Sequence, residues 1–565
     1  MTTLVAPLMK DGYKVGHPFQ YPDGTEVIYS NMTPRGSRIE GVDKVVFFGL
    51  QAMIQKYLIE EFKTMFFDLD EDKAVANYKT TIDGYLGKDA ITVDHIRALH
   101  KVGYLPIEIK ALPEGTRVPL RVPMFTIHNT NTEFGWVTNM LETLISCTTW
   151  GPCTSATLAY RNRALLEDAA ETTGASKEFV PFQAHDFSMR GMNGLEAAKM
   201  SGAAHLLSFV GTDTIPALDF LQEFYAADIT KELIGCSVAA TEHSVMCAGG
   251  QQTEEETFKR LLVDIYPKGI VSVVSDTWDF WKVVTETLPK LKDMIVGREG
   301  KLVIRPDSGD PVKIICGDLD VESVPKCLDF EGLVQDILEN RLMDSTPHGE
   351  DGGDIEGTFL YEGKYFSCRY SPDWNRHDKQ FYYIDNDGSQ HTTVKEIELC
   401  PENKGLIECL WDTFGGTVND KGFKELDQHI GAIYGDAITY EREEEILGRL
   451  AERGFASSNI VFGVGSYTYQ YVTRDTFGFA VKATANIINS EPNVMFKDPK
   501  TDDGLKKSAK GFLQVLKNQD DELVLNDNLG DIKAIEYGFL RTVFKDGQFV
   551  KTQTLQEVRD VLWPK

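Results

Sequence analysis

The chain has 565 residues and a hydrophobic share of 42%, too long for one ordinary core and apolar enough to bury more than one. Its formal net charge of -28 repels nucleic acid and anionic lipid, which argues against both as partners. No apolar run is long enough to span a bilayer, the N-terminal MTTLVAPLMKDGYK lacks a signal-peptide layout, and nine scattered cysteines without a CxxC pair predict a reduced, cytoplasmic protein without a structural zinc site.

In chain order, Tyr21-Pro22-Asp23-Gly24 marks a turn, and Glu26 to Ser30 reads as the strand after it. Val45 to Tyr57 begins apolar and becomes helical in spacing. Two strand-like runs, IEIKAL and PLRVPMFTI, lie within Glu108 to Ile127 and its approach. From about residue 136 the pattern is helical: Leu158, Leu165, Leu166 and Ala169 share a face of a helix that ends near Thr173-Gly174.

A series of short apolar runs follows, each finishing in polar groups. FVPFQA leads to His185 and Arg190, HLLSFVG to Asp213, and Ile234–Ala240 to His243. Ile270–Val274 leads to Asp276, LVI at 302–304 to Arg305 and Asp307, GAIY to Gly435 and Asp436, and NIVF to Gly465 and Ser466. These seven candidate strands, several separated by helical segments, predict a parallel sheet or barrel, whose carboxyl ends share one face and supply catalytic groups. Individually, some of these charges are expected to form surface salt bridges.

Between about Cys316 and Leu410 the pattern breaks into an acidic, Gly-rich run at 350–354 and aromatic β-like pieces with a hairpin signal at Asn386-Asp387-Gly388. Its Cys368, His377, His391, Cys400 and Cys409 have spacing better suited to packing and surface roles than to a metal site. The expected organisation is α/β: an N-terminal α+β domain over 1–150, completed by 485–565, and a barrel catalytic domain over 151–484 with a β-rich insertion at 316–410.

Ten motifs in order carry a resemblance: DGYK at 11–14, HDFSMRG at 185–191, GTDT at 211–214, SVAATEHS at 237–244, VSVVSD at 271–276, IRPDSGDP at 304–311, YGDAI at 434–438, FGVGS at 462–466, TRD at 473–475 and FKDP at 496–499. Together they resemble the type II phosphoribosyltransferases, and among them those that use nicotinamide. The resemblance implies an irregular (β/α) barrel and a transfer of phosphoribose from 5-phosphoribosyl 1-pyrophosphate to nicotinamide. It also implies magnesium, coupled ATP hydrolysis through a phosphohistidine, and a homodimer with shared sites.

Residue by residue, it implies that Arg190 and Arg305 contact phosphates or ribose, and that Asp307 holds the ribose hydroxyls or hydrated Mg²⁺. Gly435, Asp436, Gly465 and Ser466 receive the 5′-phosphate and ribose, with Ser272 as a further substrate contact and Arg474 as a further phosphate contact. Phe187 stacks on the pyridine, Tyr13 does so from the second subunit, and Asp213 accepts from the carboxamide. His243 is the phosphate acceptor with Asp276 beside it. Arg35, Lys482, Lys497 and Lys506 surround the ATP phosphates. These types suit the chemistry: guanidinium forks neutralise a leaving polyanion, and a flat ring gains from two aromatic faces.

The sequence departs from the family at Val464, Ser466 and Tyr467, where the loop is expected to be richer in glycine, and at Ala480, where a serine is expected. Two rivals stand beside the main reading. One is a nicotinate-using transferase, which Asp213 disfavours because two carboxylates would meet. The other is a catalytically silent binding protein, which the retention of His243, Arg305 and Asp307 disfavours.

Overall fold

A computed structural model describes residues 4–345, 355–371, 391–435, 438–497 and 508–564. Asp436, Lys506, His377, the acidic run at 350–354 and the hairpin signal at 386–388 lie outside the described residues. The chain divides into two compact units, one of Met1–Arg163, Asp186–Cys236 and Gly465–Lys565, the other of Ala164–His185 and Ser237–Val464.

The first unit is built on a seven-stranded sheet in the order Glu491–Val494, Ala480–Ile488, Thr25–Thr33, Phe125–Asn129, Ile107–Ala111, Arg541–Lys545 and Gln548–Phe549. Adjacent strands run antiparallel, with Tyr29 opposite both Ala485 and His128. Ile107–Ala111 and Phe125–Asn129 are buried throughout, as expected when both faces of a strand are covered. The expected strand at 26–30 and the strand-to-helix change after Val45 are observed. The Glu142–Thr173 helix begins in this unit, and its end agrees with the expected stop.

The second unit is organised around a parallel sheet in the order Ala184–Asp186, Ile460–Val464, Ile430–Tyr434, Glu299–Arg305, Lys268–Val274 and Ala239–Ala240. The last residue of the first strand, Asp186, belongs to the other unit. The apolar runs Val271–Val274, Leu302–Ile304 and Ile430–Tyr434 form these strands because a sheet covered on both faces favours continuous β-branched and aliphatic residues. Val274 pairs with Arg305, and Ile304 with Ala432. Counting outward, Asp276, Asp307 and Gly435 therefore leave the sheet at the same level.

Three of the seven expected strands differ, and of Ile234–Ala240 only Ala239–Ala240 is a strand. The HLLSFVG run is the end of the Leu195–His205 helix and the turn after it, with only Gly211–Thr212 extended. Of FVPFQA, Val180–Phe182 is a 3₁₀ turn and the strand starts at Ala184. In the latter two, a short buried apolar run fits helix and strand equally well by periodicity.

Within the expected insertion, Val321–Ser323, Ile355–Tyr361, Lys364–Ser371 and His391–Ile397 form a four-stranded sheet. An unanticipated helix, Phe330–Ser345, packs Val334, Leu338 and Leu342 against Phe359, Cys368 and Tyr370. Among the described residues, no helix is long and apolar enough to cross a membrane.

Candidate active site

The strongest constellation lies at the carboxyl ends of the second unit's parallel strands. Asp276 is its hub. One carboxylate oxygen, Oδ1, lies 3.2 Å from His243 Nε2. The other, Oδ2, accepts from the Asp307 amide at 3.0 Å and from Ser308 Oγ at 2.5 Å. The Asp276 side chain is only 5% exposed, whereas that of His243 is 46% exposed. A carboxylate oxygen accepts, so His243 Nε2–H donates, and in the neutral ring the lone pair resides on Nδ1. That is the tautomer a nucleophilic imidazole needs. Glu242, the sequence neighbour, instead accepts from Ser244 Oγ.

The turn from Arg305 to Pro311 is held from several sides. Arg305 Nη2 donates to the Thr241 carbonyl at 2.5 Å, tying two strand ends together. Tyr434 Oη lies 3.0 Å from the Ser308 carbonyl and 2.9 Å from that of Gly309. Gly309 takes φ of +89°, a conformation glycine reaches without a Cβ clash. Asp310 caps the Pro311–Cys316 helix, accepting from the amides of Val312 and Lys313 at 2.9 and 3.2 Å.

With Asp310 engaged as a cap, Asp307 is the carboxylate of this turn that faces outward. It is half-buried, and among the described residues none hydrogen-bonds its carboxylate. Gly435 stands opposite, where a Cβ would come within 2.6 Å of Asp307 Oδ1. An uncommitted carboxylate beside a residue without a side chain fits a hydrated divalent cation, because Mg²⁺ keeps most of its waters and uses few protein ligands. Nearby on the Lys268–Val274 strand, Ser272 is 4% exposed and its Oγ has no hydrogen-bond partner among the described residues, leaving a buried hydroxyl for a ligand.

The first unit gathers a second set. The Asp213 amide donates to the Asp186 carbonyl at 2.9 Å, and Asp186 Oδ1 accepts from the Ser188 amide at 2.9 Å. Asp213 and Phe187 thus sit on adjoining backbones, Asp213 exposed and Phe187 half-buried. Ser466 opens the Ser466–Gln470 helix, and a Cβ at Gly191 would collide with Ser466 Oγ. The Asn193 amide donates to Gln470 Oε1 at 2.9 Å. Arg190, exposed, is therefore beside the loop that carries Gly465 and Ser466. Arg474 forms an ion pair with Asp475 at 3.0 Å.

The residues expected around ATP are spread over the first unit. Lys482 lies 3.4 Å from Glu142 Oε1, and the buried Lys14 lies 2.7 Å from Glu142 Oε2. Arg35 Nε donates to the Gly478 carbonyl at 2.9 Å. The Lys497 amide donates to Ser508 Oγ at 2.9 Å. Tyr13 is 65% exposed, with Lys14 Nζ 5.1 Å from its ring centroid. Ser308, Thr241, Tyr434 and Glu142 were not singled out in the sequence. Ser308 had a signal, being inside IRPDSGDP, whereas Glu142 meets Lys14 and Lys482 across 128 and 340 residues of chain. Among the described residues, no His, Cys, Asp and Glu side chains gather in threes to hold a metal.

The chain belongs to the nicotinate phosphoribosyltransferase family: residues 182–338 and 378–548 match the Nicotinate phosphoribosyltransferase (NAPRTase) family. Residues 6–109 match the nicotinamide phosphoribosyltransferase N-terminal domain. The chain is 45% identical to a nicotinamide phosphoribosyltransferase of Acinetobacter baylyi, covering 98% of this chain and 96% of that one. It is 33% identical to a nicotinamide phosphoribosyltransferase of Mycoplasma pneumoniae, over 87% of this chain and 92% of that one. A nicotinamide phosphoribosyltransferase of Xanthomonas campestris is 30% identical, over 98% of this chain and 97% of the relative. The resemblance carried by the ten motifs is thus borne out over the whole chain.

Proposed function

We propose that the chain joins nicotinamide to 5-phosphoribosyl 1-pyrophosphate, giving nicotinamide mononucleotide and pyrophosphate. The observation that carries this reading is the His243–Asp276–Asp307 cluster at level strand ends, in a chain 45% identical end to end to a relative of that name. In the forward step the pyridine nitrogen forms a bond to ribose carbon-1, and the bond from that carbon to the pyrophosphate oxygen breaks. Arg305 and Arg190 bind the phosphates, where guanidinium forks give paired, charge-assisted hydrogen bonds. Asp307, through water, is the residue that would hold Mg²⁺, whose charge offsets that of the pyrophosphate when bound. Phe187 offers a ring face to the pyridine, Asp213 accepts from the carboxamide NH₂, and Gly435, Gly465, Ser466 and Arg474 receive the ribose 5′-phosphate.

ATP coupling, with His243 Nδ1 attacking the terminal phosphate and releasing ADP, is part of the proposal, as is a homodimer in which Tyr13 completes the neighbour's pyridine site. The His243 tautomer set by Asp276 supports the first, and the exposed Tyr13 ring is compatible with the second. Arg35, Lys482 and Lys497 supply the cationic surroundings of the nucleotide.

Base choice tests the reading. Nicotinamide is expected to exceed nicotinate in kcat/KM by at least about tenfold, because the carboxylate of nicotinate would face that of Asp213 and lose the hydrogen bond the carboxamide donates. Asp213→Asn, whose amide both donates and accepts, narrows that ratio. Equal use of the two bases by the unmodified protein would remove Asp213 from the account.

A further inference from the structure

We infer that His205 is a positioning residue that sets the span between the pyridine end and the 5′-phosphate end of the bound nucleotide, by hydrogen-bonding Tyr469 on one side and the Gly211 carbonyl on the other. This rests on the roles proposed above for Asp213 and Ser466.

His205 is fully buried and Tyr469 is 3% exposed. The His205 Nδ1 to Tyr469 Oη distance is 2.7 Å, and Nε2 lies 3.1 Å from the Gly211 carbonyl oxygen. A carbonyl only accepts, so Nε2 carries the proton, and in the neutral ring Nδ1 accepts from the Tyr469 hydroxyl. Phe209 stacks on the imidazole, with centroids 5.0 Å apart and planes at 23°, which fixes the ring's plane. The ring plane and a partner for each ring nitrogen are thus set.

The two partners belong to the two ends of the ligand. Gly211 begins the two-residue strand whose next residue after Thr212 is Asp213, the carboxamide acceptor. Tyr469 lies on the five-residue helix opened by Ser466, at the phosphate end. His205 itself closes the Leu195–His205 helix, which follows the Arg190 loop. That loop is already joined to the Ser466–Gln470 helix by the close approach of Gly191 to Ser466 and by the Asn193–Gln470 hydrogen bond. The His205–Tyr469 bond adds the link from that helix to the Asp213 strand. A ligand touching one end needs neither spacing nor register, whereas the mononucleotide needs both.

The test is a double-mutant cycle read by calorimetry. Tyr469→Phe removes the hydroxyl and keeps the ring. His205→Gln places an amide donor near the Nε2 position for Gly211 and has no acceptor at the Nδ1 position that Tyr469 meets. Each is expected to weaken binding of the pyridine mononucleotide by about tenfold, the scale of one lost buried hydrogen bond. Each should change binding of free nicotinamide and of inorganic pyrophosphate less than about twofold, and the double variant should be no worse than either single one. The mononucleotide used is whichever of the nicotinamide and nicotinate forms the unmodified protein binds tighter, so an error in the base assignment does not disturb the test. Additive losses, equal losses for all three ligands, or no loss for the mononucleotide would each overturn the proposal. Melting temperatures of the variants accompany the cycle, and a loss of all binding together with a lowered melting temperature counts as the equal-loss outcome.

Discussion

Two polar clusters in this molecule look alike in composition and differ in how their charges are used. In the first unit's antiparallel sheet, Glu108 Oε1 accepts from Thr542 at 2.6 Å and Oε2 from Lys545 at 3.1 Å. Lys110 pairs with Glu536 at 2.8 Å and donates to the Ile535 carbonyl at 3.4 Å. Both carboxylate oxygens of Glu108 are engaged. At the second unit's strand ends, Asp276 is equally engaged, but with His243 and the Asp307–Ser308 turn, and the carboxylate of Asp307 itself has no donor among the described residues. A buried charge that satisfies itself stabilises a fold, whereas one arranged to present an uncommitted neighbour is available to a ligand. Residue type does not separate the two cases; the remaining hydrogen-bonding capacity does.

Substitutions sharpen that contrast. His243→Ala is expected to abolish acid-labile phosphate on the protein after incubation with labelled ATP, while Ser308→Ala, which removes one donor from Asp276, slows labelling by about five- to thirtyfold for 1–2 kcal/mol. Equal labelling of the His243→Ala and unmodified proteins would falsify the acceptor assignment. In the sheet cluster the effect moves from rate to stability. Lys110→Met is expected to cost about 2 kcal/mol in denaturant unfolding, with activity per folded molecule within about twofold of the original. A large loss of activity at unchanged stability would erase the distinction between the clusters.

The smallest effect concerns pH. Burial, aided by nearby Lys10, pushes His95 down to about 4. An unfolded histidine titrates near 6.5, so between about pH 6.5 and 4 the unfolded chain binds more protons, and stability falls as pH falls through that window. His95 lies among Phe19, Tyr78 and Trp136, so a phenylalanine fits its surroundings. His95→Phe should reduce the loss of stability between pH 7 and pH 5 by roughly 1–2 kcal/mol. An identical pH profile for both proteins would show that His95 does not titrate in this range.

The strand-end chemistry was legible because it is local: an apolar run followed within two or three residues by Asp276 or Asp307 gives both the strand and the level of its functional group. The run at 205–211 was misread because a buried helix end and a buried strand present the same apolar string, and the ring nitrogens of His205 give no sign in sequence of what they meet. The helix Phe330–Ser345 carries apolar residues at 330, 333, 334, 337 and 338, a helical spacing overshadowed by the aromatic β-like pieces that follow. The clamp of Tyr434 on Ser308 and Gly309, and the Glu142 pairing with Lys14 and Lys482, join distant parts of the chain and are set by tertiary packing.

The most direct test is product stoichiometry with the intact protein and with Arg305→Ala. Both are incubated with nicotinamide, 5-phosphoribosyl 1-pyrophosphate and Mg²⁺, and nicotinamide mononucleotide and pyrophosphate are quantified together. The intact protein should form the two in equal amounts. Per folded molecule, Arg305→Ala should be slower by at least about a hundredfold, the scale of losing one preorganised charge-stabilising group. Absence of the mononucleotide with the intact protein, or equal rates for the two proteins, would contradict the account.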